Sequence, residues 1–247
     1  MAAPLSRGGG AQRVAAHVFV EDLERPVLGG DDRRHLERVL RLRPGEAVSA
    51  SDGAGGRRML RWSGDGRLAP AGDIEWSPRP EPAVAVAFTL VKGDRPEWAV
   101  QKLTEIGVDR IVPMLSERAV VRWDRARADK ALGRLRTVAR GAAMQSRRVW
   151  MAEVDDVRTF AGVVASVLAA PAGGAPAGAL CVPGGGPPRL DRPTVLVGPE
   201  GGWAPGEEGC GLPAMGLGPT VLRAETAAVA AGMLLVALRS GLVAPAG

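Results

Sequence analysis

Short alternations of apolar and polar residues mark the first part of the chain: His17-Val18-Phe19-Val20, Ala47-Val48-Ser49-Ala50 and Arg58-Met59-Leu60-Arg61-Trp62, separated by glycine-rich turns. A period of two places successive side chains on opposite faces, so these runs predict half-buried strands of a small β-rich domain. One helix interrupts them. Asp31 or Asp32 supplies its N-cap, Leu36, Val39 and Leu40 share its core-facing side, and Pro44-Gly45 stops it. Pro78, Pro80 and Pro82 then form a stiff, donor-poor stretch that reads as a linker.

Beyond the linker the pattern becomes strand, helix, strand. Val84 to Val91 is almost continuously apolar, as expected of a parallel strand covered on both faces. The next segment carries helix punctuation: Asp94 as N-cap, Pro96 in the first turn, Glu97 closing a capping box, and Gly107 as the stop. Its inward residues are Ala99, Leu103 and Ile106. A strand at Ile111-Val112, an arginine-rich helix from Asp124 to about Ala143 and a strand near Val149 to Val154 continue the series. Ala169 to Gly178 and Pro183 to Pro188 read as loops around a short strand, Ala179 to Val182. The last unit is strand Thr194 to Val197, a glycine-rich loop, Leu217 to Leu222, and helix Glu225 to Leu238. The expected organisation is a tail over 1–13, a β-rich domain over 14–77, the linker over 78–82 and an α/β domain over 83–247.

Composition narrows the classes. The 247 residues carry 32 basic against 27 acidic groups, a net charge of +5 that favours polyanionic partners. Lysine occurs only at 92, 102 and 130, so nearly all the positive charge is arginine, whose planar fork suits phosphate. Cys181 and Cys210 stand in no metal-ligand spacing, which argues against a disulfide scaffold or a metal site and makes the cytoplasm the expected compartment. The longest apolar stretch, Ala227 to Leu238, is too short to span a bilayer.

The densest chemical text is Val195-Leu196-Val197-Gly198-Pro199-Glu200-Gly201-Gly202, a strand that empties into a turn almost without side chains, where a ligand can reach bare backbone. No Gly-Lys-Ser/Thr follows, so it is not a P-loop, and the glycine spacing is not that of the usual dinucleotide site. A second bare loop, Leu217-Gly218-Pro219-Thr220-Val221-Leu222, precedes Arg223 and Glu225 at a helix start.

Together these strings are similar to the RsmE family of small-subunit ribosomal RNA methyltransferases in the SPOUT superfamily. The likeness extends to Lys92-Gly93, Gln101-Lys102, Glu105-Ile106-Gly107-Val108, Ser116-Glu117-Arg118 and, near the N-terminus, His35-Leu36, Arg38-Val39-Leu40-Arg41 and Pro44-Gly45. It implies an α/β fold with a SPOUT-type trefoil-knot domain behind a small PUA-like β-barrel. It further implies S-adenosylmethionine as cofactor, no metal, 16S ribosomal RNA or the small subunit as partner, and a homodimer through the C-terminal domain. The cofactor residues it marks are Val197, Gly198, Pro199, Glu200, Gly201, Gly202, Leu217, Gly218, Leu222, Arg223, Thr226 and Ala227. Departures from the family pattern fall at Met144, Arg147, Thr220 and Ala224.

The implied reaction methylates N3 of a uridine, whose proton is weakly acidic. Arg223 is expected to stabilise charge on the uracil, and Glu200 or Glu225 to take the proton. Arg33, Arg34, Arg38, Arg41, Arg118, Arg140, Gln145, Arg147 and Arg148 are the candidate RNA contacts. Trp62, Trp123 and Trp203 are candidates to stack on bases, with core packing preferred for Trp62 and both readings open for Trp203, and both histidines, His17 and His35, are expected as structural or surface groups. Two other readings stand beside this one: an RNA-binding assembly factor that has lost catalysis, and a nucleotide-dependent enzyme using the glycine loop for phosphate.

Overall fold

The computed structural model describes residues 14–121, 125–169, 171–172 and 175–244. The expected tail, Trp123 and Asp124 lie outside the described residues. The chain forms two compact units: residues through Pro78 together with Arg147–Trp150, and Arg79–Ser146 together with residues from Met151 onward.

In the first unit, β1 (Ala16–Phe19), β2 (Ala47–Ser51), β3 (Gly56–Trp62) and β4 (Leu68–Trp76) make one sheet in that order. β1 runs parallel to β2 and the other pairs are antiparallel. A parallel pair needs a crossover, and the helical segment α1 (Gly30–Arg34) with the π-turn His35–Val39 supplies it. Here the expected helix face is wrong. Leu36 is fully buried, but Val39 is 66% and Leu40 42% exposed. The bond from Leu40 N–H to the His35 carbonyl spans five residues, and this wider turn rotates Val39 and Leu40 off the inner face. Gly29, not an aspartate, is the N-cap. Trp62 is core, as expected.

Arg147–Trp150 is not the start of a strand of the α/β sheet. It belongs to the first unit: Ala54 bridges Trp150, Gly55 N–H donates to the Val149 carbonyl, and the Trp150 indole N–H reaches the Ser77 carbonyl at 3.2 Å. Buried His17 closes the same seam. Its Nδ1 lies 2.8 Å from Ser49 Oγ and its Nε2 3.2 Å from the Arg148 carbonyl. Burial lowers its pKa to about 4, so the ring is neutral and its Nε2–H donates to that carbonyl. The expectation of a structural histidine is met there.

The second unit is a parallel sheet. Its elements are β5 (Ala85–Thr89), α2 (Arg95–Ile106), β6 (Arg110–Leu115), α3 (Arg125–Gln145), β7 (Glu153–Val154), β8 (Arg158–Thr159) and α4 (Phe160–Ala169), followed by the short pair β9 (Pro171–Ala172) and β10 (Ala175–Pro176). Then come β11 (Gly178–Gly186), β12 (Thr194–Val197), α5 (Pro205–Glu208), β13 (Ala214–Met215) and α6 (Ala224–Arg239). The strand order is β13-β11-β12-β5-β6-β7. Both faces are covered, which explains the unbroken apolar strands: Val86, Phe88, Val195 and Val197 enter one core, Ala87 and Leu196 the other. Two expectations fail in detail. Pro183 to Gly186 continues β11 past a register shift rather than looping, and α4 stands where no element was expected. The α2 capping box is also absent: Asp94 makes no capping bond, and Glu97 instead pairs with Arg134 at 3.1 Å. Ala99 and Leu103 are buried, while Ile106 is only partly so.

α6 is fixed against α2 along its length. A Cβ at Gly232 would lie 2.8 Å from Val108 Cγ2 and 2.9 Å from Leu103 Cδ2, so the two helices approach as closely as only glycine permits. At its far end Arg239 forms a buried ion pair with Asp109 and donates to the Gly107 carbonyl at 3.0 Å. Asp109 in turn accepts the Val84 amide at 2.8 Å. Because α2 and α6 each follow a parallel strand, their N-termini lie at the same sheet edge.

Candidate active site

β12 sits between β11 and β5, where strand order reverses relative to sequence, and a doubly covered parallel sheet binds ligands beyond its carboxyl edge at such a point. Residues of β11, the end of β12 and the segments after β12 and β13 line one pocket: Val182, Pro183, Val197, Gly198, Pro199, Glu200, Gly202, Leu217, Gly218, Thr220, Leu222 and Ala227 among them. Of the twelve residues expected to hold the cofactor, Gly201, Arg223 and Thr226 do not line it and the other nine do. Val182, Pro183 and Thr220, with Cys181, Trp203, Glu208, Met215, Val221 and Ala224, line it without having been expected.

The glycine loop is held from outside. Arg118 donates to the carbonyls of Gly201 at 3.1 Å and Trp203 at 2.9 Å, so its guanidinium faces the loop. Buried Glu207 accepts the Glu117 amide at 2.8 Å and the Ala204 amide at 3.0 Å, tying the Ser116-Glu117-Arg118 turn to the loop's end. Trp203 is a wall: it is 4% exposed, stacks at a tilt on Phe160 with centroids 5.1 Å apart, and donates to the Cys181 carbonyl at 3.0 Å. Burial pushes the Cys181 thiol up to about 12. The sulfur is therefore protonated and a poor nucleophile toward an alkylating ligand.

The two candidate carboxylates meet at a residue the sequence reading missed. Arg95, first in α2, contacts Glu200 at 2.5 Å and lies 3.8 Å from Glu225 Oε2. A cation in the first turn of a helix opposes the helix dipole, and that misfit is the signal that could have flagged it. Glu225 Oε2 is buried with no hydrogen-bond partner among the described residues. Arg223 is the N-cap of α6 and exposed, with no ion pair among the described residues.

The pocket fits S-adenosylmethionine in its chemistry. Val197, Met215, Leu217 and Leu222 offer an apolar slot for a flat ring. Built Cβ atoms at Gly202 and Gly218 would meet nothing within 4 Å, so the loops leave open space against bare backbone. The orphaned Glu225 oxygen supplies an unused acceptor beside it. Among the described residues no group of three or more His, Cys, Asp or Glu could hold a metal.

The RNA candidates fall into several settings. Arg33 is engaged with Glu37, and Arg34 with Asp31. Arg38, Arg41 and Gln145 are exposed. Arg147 and Arg148 bond backbone carbonyls of the first unit, at Val14 and Trp150. Arg140 lines a separate cleft with Arg110, Arg136 and Arg158, where Asp155 clamps Arg110 at 2.8 and 2.6 Å.

A parallel α/β sheet with a glycine-walled pocket beyond its carboxyl edge defines an α/β domain built to bind a nucleotide-like ligand. Residues 78–236 match the RNA methyltransferase domain and residues 28–61 the RNA methyltransferase PUA domain. The chain is 38% identical over 220 residues to the ribosomal RNA small subunit methyltransferase E of Mycobacterium tuberculosis, covering 83% of each. It is 30% identical to that of Bacillus subtilis, covering 84% of this chain and 88% of that one. Among solved structures, the Neisseria gonorrhoeae ribosomal RNA small subunit methyltransferase E bound to S-adenosylmethionine superposes with TM-score 0.73 at 28% identity, over 90% of this chain and 97% of that one. A Legionella pneumophila methyltransferase with the same cofactor reaches TM-score 0.76 at 25% identity, over 91% and 98%. The chain belongs to the RsmE family of RNA methyltransferases.

Proposed function

We propose that the protein transfers the methyl group of S-adenosylmethionine to N3 of a uridine in small-subunit ribosomal RNA. The observation that carries the reading is the placement, two residues apart at the start of α6, of the exposed Arg223 and of a buried carboxylate oxygen with no hydrogen-bond donor among the described residues, Glu225 Oε2. The names of the relatives support the donor and the RNA class; the motif likeness supports uridine N3.

Bound S-adenosylmethionine supplies an electrophilic methyl group on a positively charged sulfur. The chain's part is to hold the donor and prepare the nitrogen. Val197, Gly198, Gly202, Leu217, Gly218 and Leu222 hold the donor. Arg223 offers a fixed positive charge to the uracil oxygens as N3 loses its proton. Glu225 accepts that proton, directly or through a water, because its Oε2 lies 3.8 Å from Arg95 and accepts no hydrogen bond among the described residues, whereas Glu200 is hydrogen-bonded to Arg95 at 2.5 Å. Arg95 is a positioning residue that keeps both carboxylates in place.

The same reading makes the second unit a knotted, dimerising domain. Met233 on α6 and Leu242 and Val243 after it are exposed apolar side chains suited to a second copy. It places the enzyme in the cytoplasm with ribosomal RNA; no helix among the described residues is long and apolar enough to cross a membrane.

Calorimetric titration in the presence of a chelator tests the donor site. S-adenosylmethionine is expected to bind, and S-adenosylhomocysteine to compete with it. No heat and no competition, at concentrations far above typical cofactor affinities, would remove the donor site.

A further inference from the structure

A second cleft opens in the same unit, of about 680 Å³, between the end of β5, the first turn of α2, the residues after β6 and the N-terminal half of α3. Its charged lining is Lys92, Arg127, Lys130 and Arg134 against one carboxylate, Glu97. Glu97 is already paired with Arg134 at 3.1 Å, so the balance is strongly positive. Two of the chain's three lysines converge here, in a protein whose other basic residues, Lys102 and the histidines apart, are arginine. Both lysines are exposed, with no ion pair among the described residues. Such a concentration of like charge repels itself unless a polyanion is its normal companion.

The location gives the polyanion its identity. β5 lies beside β12 in parallel register, so the cleft and the glycine-walled pocket share one sheet edge. The link is short: Arg95 Nε–H donates to the Lys92 carbonyl at 3.3 Å, and the same Arg95 contacts Glu200. Val120, 64% exposed on the cleft wall, offers an apolar surface to a sugar or base. No glycine-lysine-serine loop is present to cradle the terminal phosphates of a free nucleotide. We propose that this cleft binds the phosphodiester backbone of the substrate RNA strand next to the nucleotide being methylated, with Lys92 and Lys130 as its phosphate contacts. This rests on the reading of the chain as an RNA methyltransferase.

The test is equilibrium binding of a single-stranded small-subunit ribosomal RNA fragment to the full chain across a salt series, comparing the native protein with the double variant Lys92→Ala, Lys130→Ala. Losing two phosphate contacts should flatten the log-log salt slope by about 1.4, at roughly 0.7 per contact on a single strand. The charge-keeping double variant Lys92→Arg, Lys130→Arg should retain most of the slope. S-adenosylmethionine affinity, measured on the same samples, should be unchanged, which separates a lost RNA contact from a damaged fold. A slope unchanged in the alanine variant, or lost equally in the arginine variant, overturns the proposal. The binding arm needs no turnover, so failure of the native chain to methylate RNA would count against the reaction while the slope still decides the cleft.

Discussion

Arg223→Ala is expected to lower methyl transfer by about a hundredfold or more, the usual effect of removing one preorganised donor to a developing anion. Its donor affinity should change little, because Arg223 does not line the pocket. The charge it answers appears on the uracil only as the proton leaves, so the loss should fall on kcat rather than on donor binding. Its position makes the substitution clean: it is exposed at the N-cap of α6 and makes no side-chain capping bond. Single-turnover methyl transfer and donor titration on the same variant separate the two effects. Equal losses in both would make Arg223 a cofactor or folding residue.

Gly218→Val is expected to act on the opposite side of that split. Gly218 lies at φ 114°, a region in which a β-branched residue is strained, and a Cβ there meets nothing within 4 Å. The cost is conformational rather than steric, about 1–3 kcal/mol if the loop is forced back to its native path. Since Leu217 to Leu222 forms a wall of the donor pocket, that cost should appear as a donor dissociation constant raised by about 5- to 150-fold. Gly206→Ala, in α5 and equally uncrowded but at no such φ, should leave donor binding as it is. If both variants bind the donor equally well, the loop's path does not form the site.

These two residues belong to the part of the site that the sequence displays openly. The glycine loops are visible because they interrupt apolar strands, and β12 is visible because its doubly covered residues, Val195 to Val197, are all apolar. Arg95 is hidden. Its meeting with Glu200 spans 105 residues and exists only because β5 and β12 are neighbours, which no local pattern reveals. Glu207 is hidden for the same reason, its partner Glu117 lying 90 residues away. The π-turn at His35–Val39 defeats a helix wheel because the period itself changes. In α4, Phe160, Val163, Val164 and Val167 have helical spacing, but β-branched valines favour strand locally and the run merges into a Gly/Ala/Pro stretch. Arg147–Trp150 reads as the approach to β7, yet its carbonyls serve the first unit instead.

The central claim is that this pocket delivers a methyl group to uridine N3 of small-subunit ribosomal RNA. Incubating the purified chain and labelled S-adenosylmethionine with small subunits lacking the modification, then digesting the RNA to nucleosides, measures it most directly. Label in 3-methyluridine, formed about a hundredfold or more slowly with Arg223→Ala, is the expected result. Label in a different nucleoside, or none in ribosomal RNA despite demonstrated donor binding, would contradict the account.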